Sequence, residues 1–487
     1  MDVPERGWEA WIGPIDPWRT LTRAEDAFVA GYTSLEAGAM GEAEARFEDA
    51  LAAEPTFMPA YALLTQLHLT CGAYDEVPPL VARMLPHLES PTPILAALVK
   101  HLRYMLCFPE ARWVLERWLE REPDSPEALP ALGATLLELN LAADAAAVGA
   151  RLRAAHPDLP AGYLLGAQVA ILCQGHLQEG VIWCKEALKR DPEALQAFLL
   201  LGIACERMDV PAMAFEAYEQ VIALAPDNPL GHLYLGRAYL LVDDYPHAVA
   251  ALTRARACCA DGTGNFVDIL VALGWAHLGL DERAQAGTVF QEALQRQPTA
   301  ARAYQGLATL HLANAAYPEA ADTLLEFLTL PLDADTTKQA FYNLGLAYRG
   351  LAQWPDALEA FEHALSIDAE FVLARMGVGD MLAQLGRFPD ALATFQAVIE
   401  QCPESAAGYQ WLAQTLLATG ELAGAISAFE QAIQREPGNL ELHEALLDAC
   451  LAAGRPQAAC ATYQIIAKRD PAAARAVAAR HPELPGV

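Results

Sequence analysis

The chain has 487 residues, 54% of them hydrophobic by type, with 62 acidic against 32 basic side chains and a formal net charge of −30. That acid excess argues against nucleic acid and anionic membrane as partners, because both require Lys and Arg to neutralise phosphate. The opening Met1-Asp2-Val3-Pro4-Glu5 lacks the basic start and apolar run of a secretory signal, so the expected location is the cytoplasm. Only 5 lysines stand beside 27 arginines, which together with abundant Ala suggests a bacterial source.

Residues 1–23 come first and carry Trp8, Trp11 and Trp18 among prolines and glycines. They read as an arm, or as a cap over the start of the remaining chain. From Ala24 to Pro471 one 34-residue pattern then recurs thirteen times, starting at Ala24, Met58, Thr92, Pro126, Ala161, Leu195, Pro229, Val267, Ala301, Lys338, Val372, Ala406 and Leu440. A fixed period of this length marks stacked hairpins, each burying its apolar face on its neighbours. Position 20 is Ala in eleven copies, and position 8 is Gly or Ala in nine. Small residues on both helices of a hairpin predict close approach of the two backbones. Position 24 is aromatic in seven copies, Phe290 and Phe361 among them, and predicts a ring filling the space between hairpins.

Proline punctuates the pattern. Nine copies carry it at position 32, where the second helix must stop. Five pairs (Phe108-Pro109, Tyr245-Pro246, Tyr317-Pro318, Trp354-Pro355 and Phe388-Pro389) predict starts of second helices, because the first helical turn needs no N–H there. The phase slips by one residue at Pro160, by four over 263–266 and by three over 335–337, all expected in surface loops between repeats. Copies two, five and thirteen depart most from the pattern. Copy five combines Gln168, Gly180 and Cys184 at the diagnostic positions and predicts a looser hairpin. Its uncharged stretch 159–178 reads as a repeat helix with an apolar face, since it is broken by Pro160, Gly162 and Gly175.

The copy from Pro229 carries His232, Leu235, Gly236, Tyr239, Ala248, Leu252 and Ala255. The copy from Val267 repeats the set with Leu270, Leu273, Gly274, His277, Ala286, Phe290, Ala293 and Pro298. These residues resemble the tetratricopeptide repeat family. The resemblance implies an all-α, right-handed superhelical solenoid of helix-turn-helix repeats whose first helices line a concave groove through positions 2, 5, 9 and 12. The expected organisation is a Trp-rich arm at 1–23, repeats one to seven at 24–262, an insertion at 263–266, repeats eight to thirteen at 267–473, and a capping helix and tail at 474–487.

No catalytic signature is present: Gly-x-Ser-x-Gly, His-Glu-x-x-His and the phosphate-binding Gly-x-x-x-x-Gly-Lys are all missing from the sequence. Asp261-Gly262-Thr263-Gly264-Asn265 reads as a flexible loop. The ten cysteines lack metal spacing and read as small buried hydrophobes in a reducing compartment. His68, His277 and His311 share position 11 and read as packing side chains. No enzyme, cofactor or metal is expected.

The groove positions of repeats five to eight are mostly apolar, and those of repeats nine to thirteen mostly polar. Leu165, Val169, Leu199, Ile203, Leu233, Arg237, Val271 and Trp275 are the predicted partner-binding residues. An apolar groove of this kind suits a protein or peptide segment, either an amphipathic helix or an extended chain. The family's chaperone-tail grip is disfavoured, because no repeat carries the required lysine at position 5. The predicted function is a scaffold or adaptor. The alternatives are a structural subunit of a bacterial secretion, pilus or envelope machine, and an accessory presenting substrates to a separately encoded enzyme. The sequence leaves the oligomeric state open.

Overall fold

The computed structural model describes residues 21–88, 92–259 and 264–481. Trp8, Trp11, Trp18 and the tail beyond His481 lie outside the described residues. Twenty-seven α-helices run through the described chain, with no strand among the described residues. They divide into two units, one ending at Ala238 and one beginning at Tyr239.

The first helix among the described residues is Arg23–Glu36, whose start is fixed by a capping box. Thr22 N donates to Glu25 Oε2 (2.8 Å) while Glu25 N donates to Thr22 Oγ1 (3.2 Å). Repeat six shows the standard hairpin: Leu195–Arg207 followed by Pro211–Leu224. A Cβ added to Gly202 would fall 2.3 Å from the ring of Tyr218. The small residue at position 8 therefore makes room for the aromatic side chain at position 24. That corrects the expectation that it serves the approach of two backbones.

The same device recurs in the second unit, where Cβ atoms on Gly274, Gly345 and Gly379 would meet Phe290, Phe361 and Phe395 at 2.5–2.6 Å. The rings also reach the following repeat, since Gly306 and Gly377 face Phe290 and Phe361 from the other side at 2.2 and 2.8 Å. Each ring is thus a peg between successive first helices, as the aromatic spacing predicts.

All five aromatic–proline pairs open second helices with proline in the first turn. Within the second unit the aromatic member is also a contact: the rings of Tyr245 and Tyr317 fill the sites that Cβ atoms on Gly279 and Gly350 would take, at 2.2 and 2.4 Å. The residue at position 15, between the two helices, is left-handed in every copy. Glycine fills it in six, and Leu106, Asn140, Asp209, Asp243, Asp281, Ala315 and Ala352 fill the rest at φ of 54–61°. The turn demands that conformation whatever residue sits there, because the αL residue ends the first helix and reverses the chain.

Two insertions differ from the expected loops. Residues 335–337 lie inside the helix Ala334–Gly350, which Asp333 caps by accepting from Thr336 N at 2.8 Å. The helix Gly264–Gly279 likewise starts within the second insertion, and Phe266 is buried with Arg296 stacked 4.3 Å over its ring. Extra residues here lengthen the first helix by a turn instead of forming a loop. Repeat five is irregular, though by a distortion within its first helix and not as the looser hairpin expected: Ala161–Gln168 continues as a π-helical turn, Val169–Gln174. Ile171 from that turn occupies the place of the usual alanine methyl, 2.2 Å from a Cβ on Gly180.

Arginines stitch neighbouring repeats. Arg190 Nε donates to Pro157 O and Arg435 Nε to Pro403 O, both at 2.6 Å. The same guanidinium groups stack over Tyr163 (3.8 Å) and Tyr409 (3.9 Å). The last described helix, Pro471–Arg480, is capped by Asp470 and buries Ala474 and Val477. Arg480 pairs with Glu444 across this end at 2.5 Å.

Candidate partner-binding surface

The eight predicted residues do not form one exposed set. In the first unit, Leu165, Val169 and Leu233 are buried at 4%, 2% and 3% exposure. Leu165 has a specific reason to be inside. Repeat four carries Gly149 at position 24, so it lacks the ring that would face Gly133. Leu165 from repeat five fills that gap, with Cδ2 only 2.2 Å from a Cβ on Gly133 and 3.5 Å from one on Gly149. Leu199 and Ile203 are half-buried, as is Leu230, and Arg237 is exposed. In the second unit Val271 is buried, while Trp275 is half-buried and stands edge-on to Phe290 with ring centroids 5.8 Å apart.

Around Arg237 the first unit assembles a polar cluster that sequence reasoning missed. Arg237 lies over Tyr234 (5.6 Å), and Tyr234 stacks on Tyr218 (5.6 Å). Glu206 Oε1 and the Tyr218 hydroxyl are both buried and close to each other, yet neither makes a well-formed hydrogen bond. Burial pushes the Glu206 carboxyl above its ordinary value, and the neighbouring Tyr218 hydroxyl and the charges of Arg237 and Arg207 pull it back only in part. Burial likewise raises Tyr218, reinforced by the Glu206 charge. Buried polar groups without well-formed hydrogen bonds cost about 1–3 kcal/mol each, so this pair is held at an energetic cost. The signal available in sequence was Glu206 at position 12, where Leu172 and Leu240 stand in the flanking copies.

The second unit contains the charge-reversed counterpart. Arg349 occupies position 12 of repeat ten, and its Nη1 lies 3.6 Å from Oδ2 of Asp380 at position 9 of repeat eleven. Asp380 is 6% exposed, and burial raises its carboxyl despite Gln384 and Arg349.

Other chemistry-bearing side chains have structural partners. His232 and His443 place Nε2 at 3.0 and 3.1 Å from Pro226 O and Pro437 O, and His277 Nδ1 lies 2.6 Å from Glu282 Oε2. Burial, then the neighbouring thiol Cys205, pushes Cys184 up to about 12, which makes it a poor nucleophile. Among the described residues no group of three or more His, Cys, Asp or Glu is placed to hold a metal ion. Among the same residues no helix is long and apolar enough to cross a membrane.

Family profiles described as tetratricopeptide repeat match residues 97–160, 212–263, 271–335 and 342–406, and a second one matches 416–480. No curated protein matches the sequence. Solved structures that resemble it include YrrB, described as a TPR protein with an unusual peptide-binding site (24% identity, TM-score 0.34, covering 40% of this chain and 96% of that one). Another is the Cut9–Hcn1 hetero-tetramer of the APC/C (12% identity, TM-score 0.43, 94% and 96%). A third is the C-terminal part of a TPR repeat-containing protein from Cytophaga hutchinsonii (16% identity, TM-score 0.41, 50% and 98%). Profiles covering more than half of the sequence, on hairpins that repeat one pattern, place this chain in the tetratricopeptide repeat family.

Proposed function

We propose that this protein is a non-catalytic interaction scaffold that holds a segment of a partner protein on the first helices of repeats five to seven, within the first unit. The observation that supports the reading is the cluster of exposed Arg237 beside Glu206 Oε1 and the Tyr218 hydroxyl, a buried pair with no well-formed hydrogen bond. Half-buried Leu199, Ile203 and Leu230 supply apolar contacts beside it. The partner segment brings apolar anchors, an acidic group for Arg237 and an N–H donor for Glu206. Leu165, Val169 and Leu233 support the surface from beneath. Trp275 offers a separate half-buried anchor in the second unit.

The test is affinity purification from native extract with cross-linking, followed by binding of the purified partner to variants. Arg237→Glu and Leu199→Asp are expected to weaken binding at least tenfold with unchanged helical circular dichroism. Wild-type affinity in both, or cross-links confined to other repeats, overturns the assignment.

A further inference from the structure

Charges on the first helices follow one register. Position 12 is charged in three copies: Arg103 in repeat three, Glu206 in repeat six and Arg349 in repeat ten. Two of these meet the opposite charge at position 9 of the next repeat. Asp380 lies 3.6 Å from Arg349 within the second unit, and Arg237 acts electrostatically on Glu206 within the first. Arg103 is the exception, because position 9 of repeat four is Ala134.

Arg103 is half-buried nonetheless. Its Nε is covered and has no hydrogen-bond partner, and no acidic side chain pairs with it among the described residues. A charge withdrawn from water without a counter-charge is unfavourable. Lys100, exposed at position 9 of the same helix, is likewise without an ion pair among the described residues. Both cations line a pocket of ≈ 480 Å³ in the first unit. Val99, Trp118 and Ala131 supply apolar walls, and Glu127 there accepts from Ser125 Oγ at 3.3 Å. Two cations thus share the pocket with a single carboxylate, which already has a donor.

The rim of the pocket is apolar. Tyr104 also lines it and is 82% exposed, and Leu106, two residues on, is 72% exposed. Leu106 holds the left-handed turn position that glycine fills in six copies, at φ 61°, so the leucine is strained there as well as exposed. We propose that this pocket takes an acidic side chain of a partner protein, whose carboxylate pairs with Arg103 and Lys100 as Asp380 pairs with Arg349. An apolar side chain next to that acid rests on Tyr104 and Leu106. Charge selects the place: a chain of net charge −30 repels an acidic segment over most of its surface, and cations left unneutralised are where one settles. None of these residues belongs to the surface around Arg237, so the two sites stand or fall separately.

The probes are fluorescein-labelled hexapeptides in which one Glu stands beside Leu or Phe, each matched by a counterpart with Gln for Glu. Binding to the full-length chain is read by fluorescence anisotropy. At least one acidic peptide is expected to bind about tenfold more tightly than its counterpart, and Arg103→Gln is expected to remove that advantage. Ala134→Asp is the sharper variant. It supplies from within the carboxylate that repeat eleven supplies to Arg349, so it is expected to abolish the preference for acid with unchanged helical circular dichroism. Ala134→Asn, of the same size without the charge, is expected to keep the preference. Equal affinity for acidic and neutral peptides across the panel overturns the proposal, as does an undiminished preference in Arg103→Gln or in Ala134→Asp. A preference lost only in Arg237→Glu also overturns it, because the peptide then sits on the other surface.

Discussion

Leu165 fills the space beside Gly133 so closely that a Cβ on the glycine would sit 2.2 Å from Cδ2 of the leucine. The leucine thus performs in repeat four what Tyr218 and Phe290 perform in repeats six and eight. Leu165→Ala is expected to cost about 2–5 kcal/mol locally, the usual range for a core leucine that leaves a cavity. Gly133→Ala alone also destabilises by overpacking. Added to Leu165→Ala it costs less than it does alone, because the methyl enters the vacated space. Hydrogen exchange in the helices Ala128–Glu138 and Ala161–Gln168 is the measurement, since repeat arrays need not unfold in one step. Additive losses in the double variant would contradict the shared-space account.

The turn at position 15 gives a second test. An L residue in the left-handed region is strained by about 1–2 kcal/mol, and Ala352 sits there at φ 58°. Ala352→Gly relieves that strain but adds freedom to the unfolded chain, worth about 0.4–1 kcal/mol. The expected net gain is about 0.5–1 kcal/mol, and Gly386→Ala, at φ 75°, is expected to lose about 1 kcal/mol. Thermal melts of the two variants should move in opposite directions.

These two positions show how much of the fold is legible in the sequence. Repeat period, helix starts at the aromatic–proline pairs and the peg-like role of the position 24 rings all follow from local rules, and the structure bears them out. The left-handed turn is also written in the chain, as Gly38, Gly72, Gly175, Gly386, Gly420 and Gly454 in one register. It is hard to read because Asp, Asn, Ala and Leu share the position and blur it. The insertions at 263–266 and 335–337 read as loops in sequence because no local rule distinguishes an added loop from an added helical turn. Asp333 as an N-cap is the available clue for the second. The binding surface is least legible. A position number says which way a residue points in a standard hairpin, but it cannot say that Gly149 leaves a hole for Leu165, or that Glu206 meets Tyr218.

Asp380 links the second unit to pH. Its carboxyl is raised by burial, so the folded chain holds that proton more tightly than the unfolded chain does. Stability from this group is therefore greatest below the ordinary carboxyl value of 3.8 and falls as pH rises through the higher folded value. Asp380→Asn keeps the shape without the buried charge. It is expected to stabilise the second unit at neutral pH and to flatten the fall of its stability as pH rises above 3.8. Urea titrations across that range would count against this account if the variant followed the parent slope, or if it were less stable at pH 7. The latter outcome would mean that the half-exposed Arg349 contributes more than the burial of Asp380 costs.

The last prediction separates stability from binding around Arg237. The Tyr218 hydroxyl is buried beside the Glu206 carboxyl and makes no well-formed hydrogen bond, so Tyr218→Phe removes a desolvation cost while keeping the ring against Gly202 and Tyr234. Stability is expected to stay level or rise by up to about 1 kcal/mol, since deleting a buried hydroxyl without a well-formed hydrogen bond loses little. Glu206→Gln should behave alike, because it removes a charge that burial already disfavours. If these groups exist to meet a partner, both variants should bind that partner about 5- to 30-fold more weakly, the equivalent of about 1–2 kcal/mol, despite equal or greater stability. Such opposed changes are the mark of a site that trades stability for function. Calorimetric titration of the purified partner, set beside melting curves of the same samples, decides the matter. Loss of stability in Tyr218→Phe would make the hydroxyl a structural group and remove it from the site, and unchanged affinity in both variants would remove the whole cluster.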